Sequence, residues 1–335
     1  MKLPFDLPLN QALPGRLFPD RSFAAGPEGP AVDAGWTEPP SRKGFFTDTS
    51  ICIGCKACEV ACKEWNGVPQ DGIYELLGSS YDNTGALGAS TWRHVAFIEQ
   101  RKPLGDEQTG VAAPEAGASA VDLGMPSFAK PGEESDAAER SEFRWLMSSD
   151  VCKHCTNAAC LDVCPTGSLF RTEFGTVVVQ DDICNGCGYC VPACPYGVIE
   201  RRNGPEGTKN VGIAQKCTLC YDRLGAGKTP ACAQACPTES IQFGDVDELR
   251  ERADRRIQKL HEAGVTDARL YGADPDDGVG GAGAFFLLLD EPEVYGLPPD
   301  PVATTRDLPA MWKRAAVAAV GLAATAIAAF VGSKR

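Results

Sequence analysis

The chain has 335 residues, a net charge of −13 at pH 7, an isoelectric point near 4.8 and 43% hydrophobic residues. The length suggests two domains with ample material for a core. The acidity argues against nucleic acid as a partner, because phosphate recognition needs a basic face.

Residues 1–46 are rich in proline and glycine, with scattered aromatics (Phe5, Phe18, Phe23, Trp36) and no sustained period. They are expected to be an extended arm, either disordered or laid on a partner. Neither an apolar stretch near the start nor a twin arginine marks a signal peptide. Cys52, Cys55, Cys58 and Cys62 follow as C-x2-C-x2-C-x3-C, with Lys63 next. Thr91–Gln100 alternates as a strand does. Residues 101–142 form a Gly-, Ala-, Pro- and acid-rich insertion, expected as a surface loop. Phe143–Met147 reads as a strand leading to Cys152, Cys155, Cys160 and Cys164, in the pattern C-x2-C-x4-C-x3-C-P. Ser168–Arg171 and Thr176–Val179 flank Gly175 as a hairpin. Cys184, Cys187, Cys190 and Cys194 then give C-x2-C-x2-C-x3-C-P, and Cys217, Cys220, Cys232 and Cys236 give C-x2-C-x11-C-x3-C-P. Ser240–Phe243 is a short strand. Asp245 is placed to cap a helix over Val246–Ala263 that stops at Gly264 with its charges on a solvated face. Ala284–Leu289 is a strand with a strongly apolar face, and Glu291–Arg306 a proline-rich connector. Ala315–Gly332 holds 18 residues without a charge between Lys313-Arg314 and Lys334-Arg335. That is about 27 Å of helix, the short end of a membrane span. Its flanking charges balance and do not orient it.

The third quartet has the spacing of a bacterial [4Fe–4S] ligand run, in which three close thiolates hold one cluster and the fourth reaches another. Gly186 and Gly188 permit the curvature, and Pro195 turns the chain after the fourth ligand. All sixteen cysteines fall in the four quartets. The pattern is an internal repeat predicting four [4Fe–4S] clusters. Disulfide frameworks belong to much shorter secreted chains. A zinc-stabilised interaction scaffold would take two thiolates from each of two knuckles, not three within seven residues. His154, between Cys152 and Cys155, is surplus to four-thiolate sites and reads as a supporting or surface group. No nucleophile elbow, Walker loop, dinucleotide fingerprint or zincin helix is present, and Gly280-Gly-Ala-Gly283 is a loop signal only. The chain therefore reads as a non-catalytic electron carrier with no small-molecule substrate of its own.

Asp48-Thr-Ser-Ile-Cys-Ile-Gly-Cys-Lys-Ala-Cys-Glu-Val-Ala-Cys-Lys-Glu-Trp-Asn66 resembles the opening of the iron–sulfur β subunit of respiratory, membrane-bound formate dehydrogenase. So do Cys152-Lys-His-Cys155, Cys184-Asn-Gly-Cys-Gly-Tyr-Cys190, Lys216-Cys-Thr-Leu-Cys-Tyr-Asp-Arg223, Gly278-Val-Gly-Gly281, Tyr295-Gly-Leu-Pro298 and Trp312-Lys313. The cysteine pattern alone is shared with β subunits of nitrate and dimethyl-sulfoxide reductases and some hydrogenases. The insertion is longer than the family's, and the N-terminal arm matches nothing in it. No quartet replaces a cysteine by tryptophan, which speaks for four cubanes.

The resemblance implies an α+β fold of two ferredoxin-like dicluster modules with a C-terminal transmembrane helix. Its expected divisions are the arm (1–46), a first module from 47–100 and 200–245, the insertion (101–142), a second module (143–199), a C-terminal helix and connector (246–310) and an anchor (311–335). It implies the ligand sets Cys52, Cys55, Cys58 with Cys236; Cys217, Cys220, Cys232 with Cys62; Cys152, Cys155, Cys160 with Cys194; and Cys184, Cys187, Cys190 with Cys164. It further implies a molybdenum- or tungsten-pterin catalytic partner, a haem b membrane partner, the quinone pool as acceptor, and a cluster domain outside the cytoplasm. The alternative is the same wiring in a hydrogenase or a sulfur-compound reductase.

Overall fold

Phe45-Phe46 and Phe285-Phe286 are consecutive aromatic pairs, and neighbours in a strand point to opposite faces. The computed structural model, which describes residues 29–71, 84–103, 141–205 and 207–332, uses both faces of both pairs. In chain order its elements are α1 (Pro30–Asp33), β1 (Lys43–Asp48), α2 (Ala57–Asn66), β2 (Arg93–Pro103), β3 (Ser141–Val151), α3 (Ala159–Asp162), β4 (Leu169–Arg171), β5 (Val177–Val179), α4 (Cys190–Ala193) and β6 (Glu200–Arg201). There follow β7 (Ala214–Gln215), α5 (Tyr221–Gly225), α6 (Ala231–Gln234), β8 (Ile241–Asp245), α7 (Val246–Glu262), β9 (Arg269–Tyr271), β10 (Ala284–Leu288) and α8 (Leu308–Gly332).

The central sheet has the order β8-β1-β10-β9. β1 runs parallel to β10 in the register Phe45↔Ala284 to Asp48↔Leu287, and antiparallel to β8. Phe46, Phe285 and Leu287 face α7 and pack on Val246, Leu249 and Ala253, the Phe46 and Phe285 rings stacking at 5.5 Å. Phe45, Ala284, Phe286 and Leu288 face the opposite way, into the core that holds Cys58, Cys152, Cys217 and Cys232. Burial on both faces explains why β10 reads as a continuous apolar run and why β1 shows no apolar–polar alternation.

The N-terminal division needs correction. Residues 1–28 lie outside the described ones, but Lys43–Phe46, assigned to the extended arm, are a buried central strand. The segment before it lies on the chain's own second module: the Trp36 indole donates to Arg171 O at 2.9 Å, and Arg42 to Thr156 Oγ1 and His154 O. The region 246–310 is likewise no mere appendage. It supplies α7, β9 and β10 to the sheet, and within the proline-rich stretch Tyr295, Leu297 and Ala303 are buried.

Asp245 occupies the N-cap position of α7, yet its carboxylate does not cap. It binds Ser41 and, at 2.5 Å, Lys43, so Asp247 and Glu248 in the first turn are left to complement the helix dipole. The charges of α7 are mostly solvated, but Arg250 is half-buried and Arg256 reaches back 2.8 Å to the buried Asp48 and also donates to Ser50 Oγ.

The expected strands at 91–100 and 143–147 are the facing halves of one hairpin, β2–β3, paired from Arg93↔Val151 to Pro103↔Ser141. The first and last residues of the insertion are thus strand, and 104–140 lie outside the described residues. The small β4–β5 hairpin forms around Gly175, whose φ of 73° the turn requires. α8 is 25 residues long, and its apolar stretch Ala310–Ile327 has none of its residues buried.

Candidate metal centres

α2 starts where Lys56 turns left-handed and stops at Gly67, also left-handed. Four residues apart on that helix, Cys58 and Cys62 lie on one face a turn apart, and both are buried. They enter different sites. Cys58 lines a small cavity with Cys52, Cys55 and Cys236, here site I. Cys62 has Cys217, Cys232 and Cys220 as its charged neighbours, and Asn66 Nδ2 stands 3.7 Å from Cys62 Sγ and 3.9 Å from Cys220 Sγ; these four make site II. Cys152, Cys155, Cys160 and Cys194 line a second cavity, site III. Cys164, Cys184, Cys187 and Cys190 line a third, site IV. Every quartet therefore sends its last cysteine into another quartet's triad.

The sites follow one another. Cys58 of site I neighbours Cys232 of site II, Cys217 of site II neighbours Cys152 of site III, and Cys160 of site III neighbours Cys190 of site IV. The ends of this row are open: Cys55 and Cys187 are exposed, whereas all of site II is buried.

None of the sixteen cysteines is in a disulfide. Burial pushes Cys58 up to about 11 and Cys160 up to about 12, and holds Cys62 and Cys155 well above the usual thiol range. Neighbouring cysteines add to the rise, because crowded thiolates repel. Cys164 runs the other way: burial raises it, but hydrogen bonds from Ser168, Leu169 N–H and Thr166 bring it down to about 7. Other donors already address sulfur. Ser149 Oγ lies 3.2 Å from Cys58 Sγ, Leu219 N–H donates to Cys217 at 3.3 Å, and Ala214 N–H to Cys184 at 3.5 Å. Donors to sulfur and degree of burial are the levers that tune an iron–sulfur potential.

Sequence reading missed the cations. Arg93 and Lys153 are each 1% exposed and Lys216 2% exposed. Lys153 binds Asp150 and Val151 O, and sits over the Tyr196 and Phe286 rings at 5.1 and 5.0 Å. Lys216 donates to Val177 O and Cys217 O, and both lysines line site III. Adjacency to Cys152 and Cys217 was a usable signal for the lysines; nothing in the sequence marks Arg93. His154 is buried, not at the surface. Its Nδ1 accepts from Val177 N–H, and burial with Lys216, Arg171 and Arg42 nearby holds it well below its usual range, so it is neutral with its proton on Nε2.

Cavities ringed by four cysteines, with Arg93 and Lys216 buried close by and neither bound to a carboxylate among the described residues, suit an anionic group held by sulfur. Among the described residues no cluster of His, Cys, Asp or Glu converges tightly enough for a single metal ion. Two family profiles, each described as a 4Fe-4S dicluster domain, match residues 51–168 and 143–246. The chain is 36% identical over 284 residues to the nitrate-inducible formate dehydrogenase iron-sulfur subunit of Escherichia coli K12, covering 83% of this chain and 80% of that protein. It is 37% identical over 294 residues to the formate dehydrogenase iron-sulfur subunit of Haemophilus influenzae, covering 85% and 78%. This chain belongs to the family of formate dehydrogenase iron–sulfur subunits. It is built from two 4Fe–4S dicluster modules and carries four [4Fe–4S] clusters. As such a subunit it transfers electrons within an oxidoreductase. It is also similar to one subunit of the anaerobic dimethyl sulfoxide reductase of Escherichia coli K12, 32% identical over 212 residues that cover 63% of this chain and 78% of that one.

Proposed function

We propose that this chain is the electron-transfer subunit of a membrane-bound formate dehydrogenase, collecting electrons from formate oxidised on a molybdenum- or tungsten-pterin subunit and delivering them to a haem b membrane subunit and quinone. The observation that carries the reading is the row of four cysteine sites with an exposed cysteine at each end and a fully buried site II between them. An open end at site I and another at site IV let two different partners approach, one to load the row and one to unload it. The ligands are Cys52, Cys55, Cys58 and Cys236 at site I, Cys62, Cys217, Cys220 and Cys232 at site II, Cys152, Cys155, Cys160 and Cys194 at site III, and Cys164, Cys184, Cys187 and Cys190 at site IV. Each cluster, when bound, supplies a one-electron carrier. The chain's own residues hold it by thiolates, keep site II out of solvent, and set its potential by charge and hydrogen bonding.

Formate is favoured over a sulfur-compound substrate because the formate dehydrogenase relatives align over more of this chain than does the dimethyl sulfoxide reductase one. Anchoring rests on α8, apolar on all sides and unburied in the chain itself. By family resemblance the cluster domain lies outside the cytoplasm.

The test is to purify the complex from membranes without oxygen, identify the large subunit, measure iron and add formate. About sixteen irons for this chain, four per quartet, with bleaching of its absorbance by formate and recovery on adding a quinone analogue, is the expected result. A large subunit whose substrate is not formate, or no bleaching by formate in an iron-replete complex, overturns the formate reading. Much less iron overturns the ligand sets.

A further inference from the structure

Arg93 opens β2, where it pairs with Val151 across the hairpin. Its side chain points into the core and is fully buried. Nη1 is fixed by Ser149, donating to the carbonyl at 3.1 Å and to Oγ at 3.0 Å. The guanidinium stacks over the Phe45 ring at 4.9 Å, which offsets part of its lost hydration. Nε and Nη2 are buried with no hydrogen-bond partner, and no carboxylate pairs with the residue among the described ones. A buried cation left with two free donors is strongly destabilising unless a counter-charge stands beside it.

What surrounds it is sulfur. The titratable groups that act most on Arg93 are Cys232, Cys58, Cys217 and Cys62, one from site I and three from site II. Ser149, which anchors the guanidinium, also lies against Cys58 Sγ at 3.2 Å. Site I by contrast has only Lys56 as a charged residue in its lining, itself bound to Glu59 at 3.0 Å, and site IV has none.

We infer that Arg93 is the shared counter-ion of sites I and II, its free N–H groups directed to sulfur at both, so that one side chain sets the potentials of two neighbouring clusters together. The inference rests on the four-cluster reading above. Adding an electron to a cluster bound by thiolates makes an anionic unit more negative. A fixed guanidinium beside it, in a medium of low polarity, favours the reduced form. Serving two sites at once, it keeps their potentials from diverging and so eases exchange between them. Arg93 acts through the clusters as a positioning and tuning residue.

The experiment is a redox titration of the purified complex followed by electron paramagnetic resonance, with iron and sulfide content measured in parallel, on wild type, Arg93→Gln and Arg93→Lys. Four titrating centres and full iron in wild type establish the four-cluster reading independently. Arg93→Gln is expected to keep its iron and to lower the reduced-to-oxidised ratio of two centres at least tenfold at fixed potential, about 59 mV for a one-electron couple. The other two centres stay in place, and Arg93→Lys recovers most of the shift. Unchanged potentials in iron-replete Arg93→Gln, or an equal shift of all four, overturn the inference. Should Arg93→Gln fail to load, nitrogen-15-labelled arginine decides. Wild type is then expected to show nuclear coupling from arginine nitrogen on both centres, lost at site I in Arg93→Lys. No arginine coupling at site I in wild type, or the same coupling in both proteins, overturns it.

Discussion

Cys194 follows α4, the same short helix that holds Cys190, yet the two line different cavities. One turn carries the second sulfur about 6 Å along the helix axis, and the chain turns extended at Cys194, so that sulfur reaches the next cavity. Cys194→Ser is therefore expected to abolish the spectroscopic signal of site III and to leave site IV largely intact, with Cys164→Ser giving the converse. Spectra of each variant in the intact complex check this, and loss of the two sites in the reverse order would contradict the crossing. The supporting side chains at site III act locally as well. The neutral His154 ring and the lysines Lys153 and Lys216 crowd one cavity, while the cavity of site IV is lined only by uncharged residues such as Ser168 and Asn185.

At the scale of elements, the sheet holds the two modules in register through β1. Gly44 lies so close to the turn into β10 that an added Cβ would sit 2.0 Å from Gly283 O. The nearest atom is backbone, which cannot swing aside, and Val246 Cγ2 at 2.7 Å adds to the clash. Gly44→Ala is expected to part β1 from β10 and cost at least about 2 kcal/mol, the upper range of overpacking. Its clearest readout is a fall in the thermal midpoint of the cluster-loaded protein. Leu249 on α7 fills the other face of the sheet. Leu249→Ala removes a fully buried side chain beneath Phe46 and Phe285, and a loss of about 2–5 kcal/mol follows from the void. Cluster spectra of this variant should be normal at low temperature, because α7 packs on the face away from the cysteines. Altered spectra under those conditions would mean that the two faces are coupled.

At the scale of the whole molecule, a cofactor-bearing body and an unburied apolar helix are joined by a packed stretch containing Tyr295 and Leu297. Trp312, Val317, Leu322 and Phe330 are all exposed on α8, so no side of it is covered by the described residues. In lipid a helix satisfies its own backbone, and its many alanines allow close approach by a neighbouring helix. Deleting residues 308–335 is expected to free the chain from washed membranes with its clusters in place, since no described cluster-cavity residue lies on α8. Fractionation with iron analysis of the soluble part checks it; a truncated chain that stays in the membrane, or leaves it stripped of iron, would show that α8 is not a separable anchor.

The kind of cofactor and the number of clusters were legible in the sequence, because three thiolates around one face of a cluster must come from a few consecutive residues and so leave a local spacing. The apolar tail was legible for a similar reason, its length being set by bilayer thickness. The helix over α7, the β4–β5 hairpin and the strands ending at Val151 and Leu288 could be read from caps, turns and alternation. Tertiary structure decided the rest. Which cysteines share a cavity depends on partners as far apart as Cys52 and Cys236, brought together by packing that no spacing records. The strand Lys43–Asp48 escaped because burial on both faces erases the alternation that betrays a strand. Its parallel partner Ala284–Leu288 lies more than half the chain away. Arg93 escaped for the plainest reason: a charge in a sequence is expected in water, and only the folded core shows that this one is surrounded by sulfur.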